Sequence, residues 1–199
     1  MEEQPRPEAS TTAPHPKFQA SGIEPALRQN EVVSGVQALS RDPNTNKVRL
    51  QIHPYAIVVS QDCDLEQDYE ARRDDATRPT HHWVPTVLLL EATEVGAVRA
   101  RINQDVIKRI AKHQLERFQL IQACPKEHDA RGLGVPELIV DFKRFFCVGR
   151  DDLYAQLAVQ GEQAAARRYC LRSPYRDHLQ NKFAFYLGRV GLPEPHESQ

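Results

Sequence analysis

The chain has 199 residues, of which 40% are apolar, and a formal net charge of −1. That length suits one domain of ordinary size with a tail. The near-neutral balance excludes binding of nucleic acid by bulk charge alone, and no apolar run approaches the roughly 18 residues of a membrane helix. The four cysteines (Cys63, Cys124, Cys147, Cys170) are scattered without a CxxC pair. Such spacing suits reduced thiols, and the acidic N-terminus MEEQPRPEASTTAPHP lacks the apolar core of a signal peptide. A cytoplasmic protein that spans no membrane is therefore expected.

In chain order, residues 1–25 hold five prolines and few large apolar groups. Such a segment cannot offset its ordering entropy by burial, so a disordered tail is expected there. A single domain then runs over 26–193, with a short disordered end at 194–199. Glu31–Leu39 reads as a strand, Asp42–Asn46 as a turn, and Val48–Ile52 as a half-buried strand. His53-Pro54 should interrupt it. Tyr55–Ser60 is a continuous β-branched run, the mark of a strand buried on both faces. Residues 61–80 are polar and read as a loop.

Val84–Ala92 returns to strand character. Asn103 can cap a helix over Gln104–Lys112, with Val106, Ile107 and Ile110 on one face. Phe118–Gln122 reads as a short strand, Lys126–Gly134 as a loop, and Leu138–Val148 as a long strand. Asp151 can cap a helical turn, and Tyr169–Leu171 is a further strand. Ser173-Pro174 then opens a terminal helix with Leu179, Phe183, Tyr186 and Leu187 as its apolar stripe. About six strands without regular β-α alternation give an α+β fold: a small, strongly bent antiparallel barrel with a C-terminal helix and large insertions.

Several stretches resemble a known family. Glu31-Val32-Val33 followed by Pro54–Ser60 (PYAIVVS) is similar to the opening strands of the bacterial growth-inhibitor barrels of the MazF/PemK and CcdB type, which are SH3-like. Leu138–Asp141 through Arg144, Val148-Gly-Arg150 and the helix ending at Leu187-Gly188 resemble later parts of that family. The chain departs from it by insertions at 61–82 and 100–135, by His53 where many members carry arginine, and by Gln61-Asp-Cys-Asp64. The resemblance implies a toxin-like or phage-defence setting in bacteria and metal-independent RNA cleavage, with no cofactor.

Site chemistry centres on the segment Ser60-Gln61-Asp62-Cys63-Asp64. A side chain just past a buried strand is fixed at its base and free at its tip. For cleavage, Ser60, Asp62, Asp64 and His53 are the candidate catalytic groups, with Arg28 as a phosphate clamp. Asp64 is expected to matter more than Cys63, because flanking carboxylates suppress a thiolate. The bland alternative is that Cys63 points inward and Asp64 caps a turn. Asp62, Asp64, Glu66 and Asp68 alternate like a calcium loop, but Gln67 and Arg73 stand where glycine and glutamate belong. A magnesium site from Asp62 or Asp64 with Asp141, and a zinc site from Cys63, His81 or His82, Cys124 and His128, are weaker options. Singly, His113 and His178 read as ordinary surface histidines, and Trp83 as a core anchor.

Charge is segregated along the chain. Residues 62–94 carry nine acids against three bases, residues 99–150 eleven bases against six acids, and residues 167–189 six bases against one acid. Arg28, Lys108, Arg109, Lys112, Arg117, Lys143, Arg144 and Arg172 are the candidate nucleic-acid-binding residues. Arg167, Arg168 and Arg176 could extend the same surface, with Phe118, Phe145, Tyr169 and Tyr175 interleaved. The rival to nucleic-acid binding is a non-catalytic adaptor that docks a protein partner through its acidic loop.

Overall fold

The computed structural model describes residues 15, 17–22, 25–73, 80–99, 102–161 and 164–188. Within them lie seven strands: β1 (Phe18–Ala20), β2 (Glu31–Arg41), β3 (Val48–Val58), β4 (Thr86–Glu94), β5 (Phe118–Ile121), β6 (Leu138–Gly149) and β7 (Ala166–Leu171). Five helices accompany them: α1 (Asp62–Arg73), α2 (Val95–Arg99), α3 (Gln104–Ala111), α4 (Arg150–Ala158) and α5 (Tyr175–Leu187). The strands form one antiparallel sheet in the order β1-β7-β2-β3-β4-β6-β5. The α+β class is as expected. The sheet is open, with β1 and β5 at its edges, so the expected closure into a barrel is not present.

Consecutive apolar residues explain why both faces are covered. Val32, Ile57, Leu90 and Tyr169 enter one core with Leu179 and Phe183 of α5. Their neighbours Val33, Val58 and Leu89 enter a second core with Leu65 of α1 and Leu153 of α4. Alternation at period two sends each pair to opposite faces, and burying such side chains contributes about 1.5–3 kcal/mol apiece. A third cluster, Val95, Ile110 and Ile139, seats α3 near β5.

Several expectations about the elements are corrected. Asp62–Arg73 form a helix, not a loop. Asp62 and Asp64 sit in its first turn and Arg72 and Arg73 in its last, which suits the helix dipole. Only Leu65 and Asp68 of it are buried, too thin a stripe for periodicity to reveal. Asp68 is held by Arg72 Nε at 2.8 Å, Arg150 Nε at 2.6 Å and Val84 N–H at 2.9 Å. Trp83 is exposed and lies against the Arg72 guanidinium, 4.7 Å from its ring centre, so it is not a core anchor.

The His53-Pro54 pair does not break β3. Pro54 falls between the pairs Ser34–Tyr55 and Val36–His53, opposite Gly35. Gly35 has φ 70°, and a Cβ there would approach Ala164 O to 3.3 Å. Its missing side chain lets the chain before β7 pass close by. Helix ends also differ. Gly149, not Asp151, precedes α4, and Ser173 Oγ donates to Asp177 Oδ2 at 2.6 Å instead of capping a backbone N–H.

The last correction concerns the tail. Phe18–Ala20 pairs with Leu171, Cys170 and Tyr169 of β7, and Phe18 is 3% exposed against the Tyr169 ring. One phenylalanine and a free sheet edge order a segment whose composition alone looks unstructured. Residues 1–14 and 194–199 lie outside the described residues.

Two successive arginines fix β7. Arg167 pairs with Glu31, whose side chain is fully buried, and donates to Ala26 O at 2.9 Å. Arg168 forms two hydrogen bonds to the buried Asp129 at 2.7 and 2.6 Å and reaches Gly134 O at 2.8 Å. Burial alone would raise the Asp129 pKa, but the hydrogen bonds and charge of Arg168, aided by the N–H groups of Arg131 and Leu133, hold it below the usual carboxylate value. A depressed folded pKa means stability that is present above the unfolded value, about 3.9, and lost as pH falls through the folded one. Asp129→Asn is therefore expected to cost about 3–5 kcal/mol at pH 7, the usual loss on breaking a buried pair. The gap between variant and wild type should shrink below about pH 4, and urea melts at pH 7 and pH 3 read both effects.

Candidate anion-binding site

A polar cavity of about 200 Å³ lies where β1, β7 and the starts of α1 and α5 meet. Arg28, Arg167, Arg172 and Arg176 line it together with Ser21, Gln29, Ser173 and Asp62. β7 supplies Arg167 and Cys170, the β7–α5 connection supplies Arg172 and Ser173, and α5 supplies Arg176 from its first turn. The docked β1 segment closes the far wall with Gln19–Gly22.

Asp62 is the single lining carboxylate among the described residues. It accepts from Gln29 N–H at 2.5 Å and from Arg28 Nε at 3.2 Å, and Arg176 Nη1 lies 3.8 Å away. Arg176 also pairs with Asp177 at 3.1 Å, and Arg167 with Glu31 below the floor. Arg172 donates to His15 O at 3.3 Å and has no carboxylate partner among the described residues. Burial outweighs all else at Cys170, whose pKa is pushed up to about 12, so it is a neutral thiol at pH 7. The arrangement offers planar guanidinium forks, hydroxyls and amides, the donors that a phosphate or other oxyanion takes.

The expected catalytic set is not assembled here. Of Ser60, Asp62, Asp64 and His53, only Asp62 reaches the cavity. His53 is 4% exposed and stacks on Phe146 with ring centres 3.8 Å apart, its Nδ1 3.5 Å from Glu91. Burial lowers its pKa more than Glu91 raises it, so the ring is a neutral core group. Ser60 Oγ accepts the Leu88 N–H at 2.9 Å and so tethers β4. Asp64 and Cys63 are both exposed on α1, with Cys63 Sγ 3.6 Å from Asp64 Oδ1. The inward Cys63 is thus corrected, and of the two aspartates flanking it Asp62 is the one that accepts from Arg28 and Gln29.

The expected basic surface is only partly brought together. Arg28 and Arg172 line the cavity. Arg117 is locked on Asp141 at 2.7 and 2.5 Å, and Arg144 on Glu91 at 2.9 Å. Lys108, Arg109 and Lys112 are exposed on or just after α3, and Lys143 is exposed on β6. Arg168 is buried on Asp129. No group of three or more potential metal ligands occurs among the described residues, so the magnesium and zinc sets do not converge. Sequence reasoning missed the β1 wall and Gln29, because nothing in a proline-rich tail signals that it docks.

Comparison of the chain with protein-family models, with curated proteins and with solved structures found no match. Among the described residues no helix is long and apolar enough to cross a membrane.

Asp62→Asn separates the roles open to this carboxylate. It removes the negative acceptor for Arg28 and leaves the amide oxygen to accept from Gln29. A stability loss of about 1–2 kcal/mol is expected from the weakened hydrogen bonds, together with tighter binding of inorganic pyrophosphate, since Arg28 and Arg176 are released. Thermal melting and calorimetric titration check both signs.

Proposed function

We propose that the protein binds the phosphate backbone of nucleic acid through the arginine-lined cavity and acts as a binding module. The observation that carries this reading is the convergence of four arginines on one concavity: Arg28 from the chain before β2, and Arg167, Arg172 and Arg176 from β7 and its turn into α5. Arg172 is the foremost phosphate contact because no carboxylate among the described residues competes for it. Arg176 and Arg28 exchange Asp62 for the incoming oxyanion. Arg167, held to Glu31, forms a fixed cationic floor.

Cleavage is not part of the reading. A general base must reach the proton it removes, and His53 and Ser60 are engaged in the core and the backbone. The resemblance to growth-inhibitor barrels supports a toxin-like or phage-defence setting, with nucleic acid as the target that setting implies.

A second reading rests on a different observation. Val48, Leu50 and Ile52 of β3 and Leu39 of β2 are 57–76% exposed on the distal β2–β3 ribbon. Leu39 pairs with Leu50, so they share one face. An exposed apolar strip of this kind suits a protein partner, and it replaces the acidic segment as the adaptor's docking element. Asp62 and Asp68 of that segment are spent inside the fold.

Fluorescence anisotropy with a single-stranded 12-mer tests the primary reading. Arg172→Ala and Arg176→Ala should each weaken binding about tenfold, the loss of one charge-assisted hydrogen bond. Together they should flatten the slope of log K against log salt by about 1.4, or 0.7 per phosphate contact. Unchanged affinity and slope in the double variant would assign binding elsewhere.

A further inference from the structure

A second cavity, of about 370 Å³, lies on the other side of β1. Its walls are Phe18, Ile121, Leu171, Leu179, Pro174 and Tyr175, with Gln119, Gln122, Lys17, His113 and His178 adding polar tips. The two cavities meet at Leu171, which lines both. They also alternate along two stretches of chain. Lys17 and Phe18 face the larger cavity while Gln19–Gly22 face the arginines, and Ser173 faces the arginines while Pro174 and Tyr175 face the larger cavity. Two residues of chain span at most roughly 7 Å, so the rims are within reach of one ligand.

The larger cavity has the make-up of a site for a flat, uncharged heterocycle. Phe18, Leu171 and Leu179 give apolar walls. Tyr175 is 42% exposed at the mouth, with the Lys17 ammonium 5.2 Å from its ring centre. His113 is held at φ 57°, which turns its ring edge-on to His178 at 4.8 Å. Burial, His113 and Lys182 all lower the His178 pKa, so it is neutral at pH 7 and can both donate and accept. Gln122 accepts from Lys17, which leaves its amide N–H groups at the wall, while Gln119 accepts from Lys182 and donates to Leu120 O at 3.0 Å. Lys112 lies between Ala111 and His113, two further lining residues, and so continues the positive charge past the far rim.

Resting on the phosphate reading above, we infer that this cavity receives an unstacked base of single-stranded nucleic acid whose neighbouring phosphate sits among the arginines. Apolar walls with an aromatic rim accept a base by stacking. The neutral imidazole and amide groups accept its hydrogen-bonding edge. A duplex, whose bases are paired and stacked, cannot place one there without opening. The site thus selects single strands, and the arginines alone do not.

The test compares four probes by anisotropy and competition at fixed salt: a mixed-sequence single-stranded pentanucleotide, the same pentamer with every base removed, the duplex form, and a nucleoside monophosphate. The pentanucleotide should bind at least tenfold more tightly than the abasic pentamer and the duplex, and the monophosphate more weakly than the pentanucleotide. Tyr175→Ala and His178→Ala should each erase most of the preference for bases while leaving abasic binding in place. A monophosphate that matches the pentanucleotide would reassign the cavity to free nucleotides and overturn the single-strand claim. Equal binding of pentanucleotide and abasic pentamer by the wild type would overturn the base site and leave the phosphate site standing. Failure of every probe to bind would overturn the phosphate reading itself.

Discussion

Two consecutive arginines on β7 point to opposite sides of the sheet, and each meets a carboxylate buried in the fold. Arg167 meets Glu31 at the start of β2, and Arg168 meets Asp129 in the connection between β5 and β6. Buried charge is tolerated only when it is paired and hydrogen-bonded, and both pairs are. Arg168 also approaches Ser34 Oγ at 3.3 Å and Gly134 O, while Asp129 accepts from Leu133 and Gly134 N–H at 3.0 and 2.9 Å. One residue step along β7 therefore ties together the chain at 25–31, the middle of β2 and the loop at 129–134. The arginine cavity borrows its floor from this lock, since Arg167 belongs to both.

The lock also explains how four like charges can share one small concavity. Glu31 offsets Arg167 from beneath, Asp177 offsets Arg176 from the side, and Asp62 stands at the wall between Arg28 and Arg176. Without a ligand, the protein's own carboxylates keep the guanidinium groups of Arg28, Arg167 and Arg176 oriented and apart. A phosphate brings more oxygens than Asp62 alone, in a geometry that guanidinium forks match. In the proposed function, binding is an exchange of acceptors on arginines that are already in place, so little side-chain ordering would remain to oppose it.

Much of the fold was legible in the sequence, for reasons tied to particular residues. The continuous run Tyr55–Ser60 announced a strand covered on both faces, Val84–Ala92 announced another strand, and α3 and α5 showed clear apolar stripes. α1 was not legible, because it is anchored by Leu65 and by Asp68, whose burial depends on Arg72 and Arg150. No pattern of polar residues shows that an aspartate lies inside. β1 was missed because its order comes from a partner strand at the other end of the chain. The same non-locality hid the site. Arg28, Asp62, Arg167 and Arg176 are unremarkable one by one, and only the pairing of β1 and β2 with β7 gathers them. His53 misled in the opposite direction. Its place before a buried strand suggested chemistry, while its ring is packed on Phe146.

The central claim is that the arginine cavity is where the phosphate backbone lands. Guanidinium Nε–H resonances observed by nitrogen-15 NMR, while a single-stranded oligonucleotide is titrated in, report on it arginine by arginine. The account predicts that the signals of Arg172, Arg176 and Arg28 shift together and saturate at one ligand equivalent, while Arg117, locked on Asp141, stays still. Shifts confined to Arg109 and Arg144, with the cavity arginines unmoved, would contradict it.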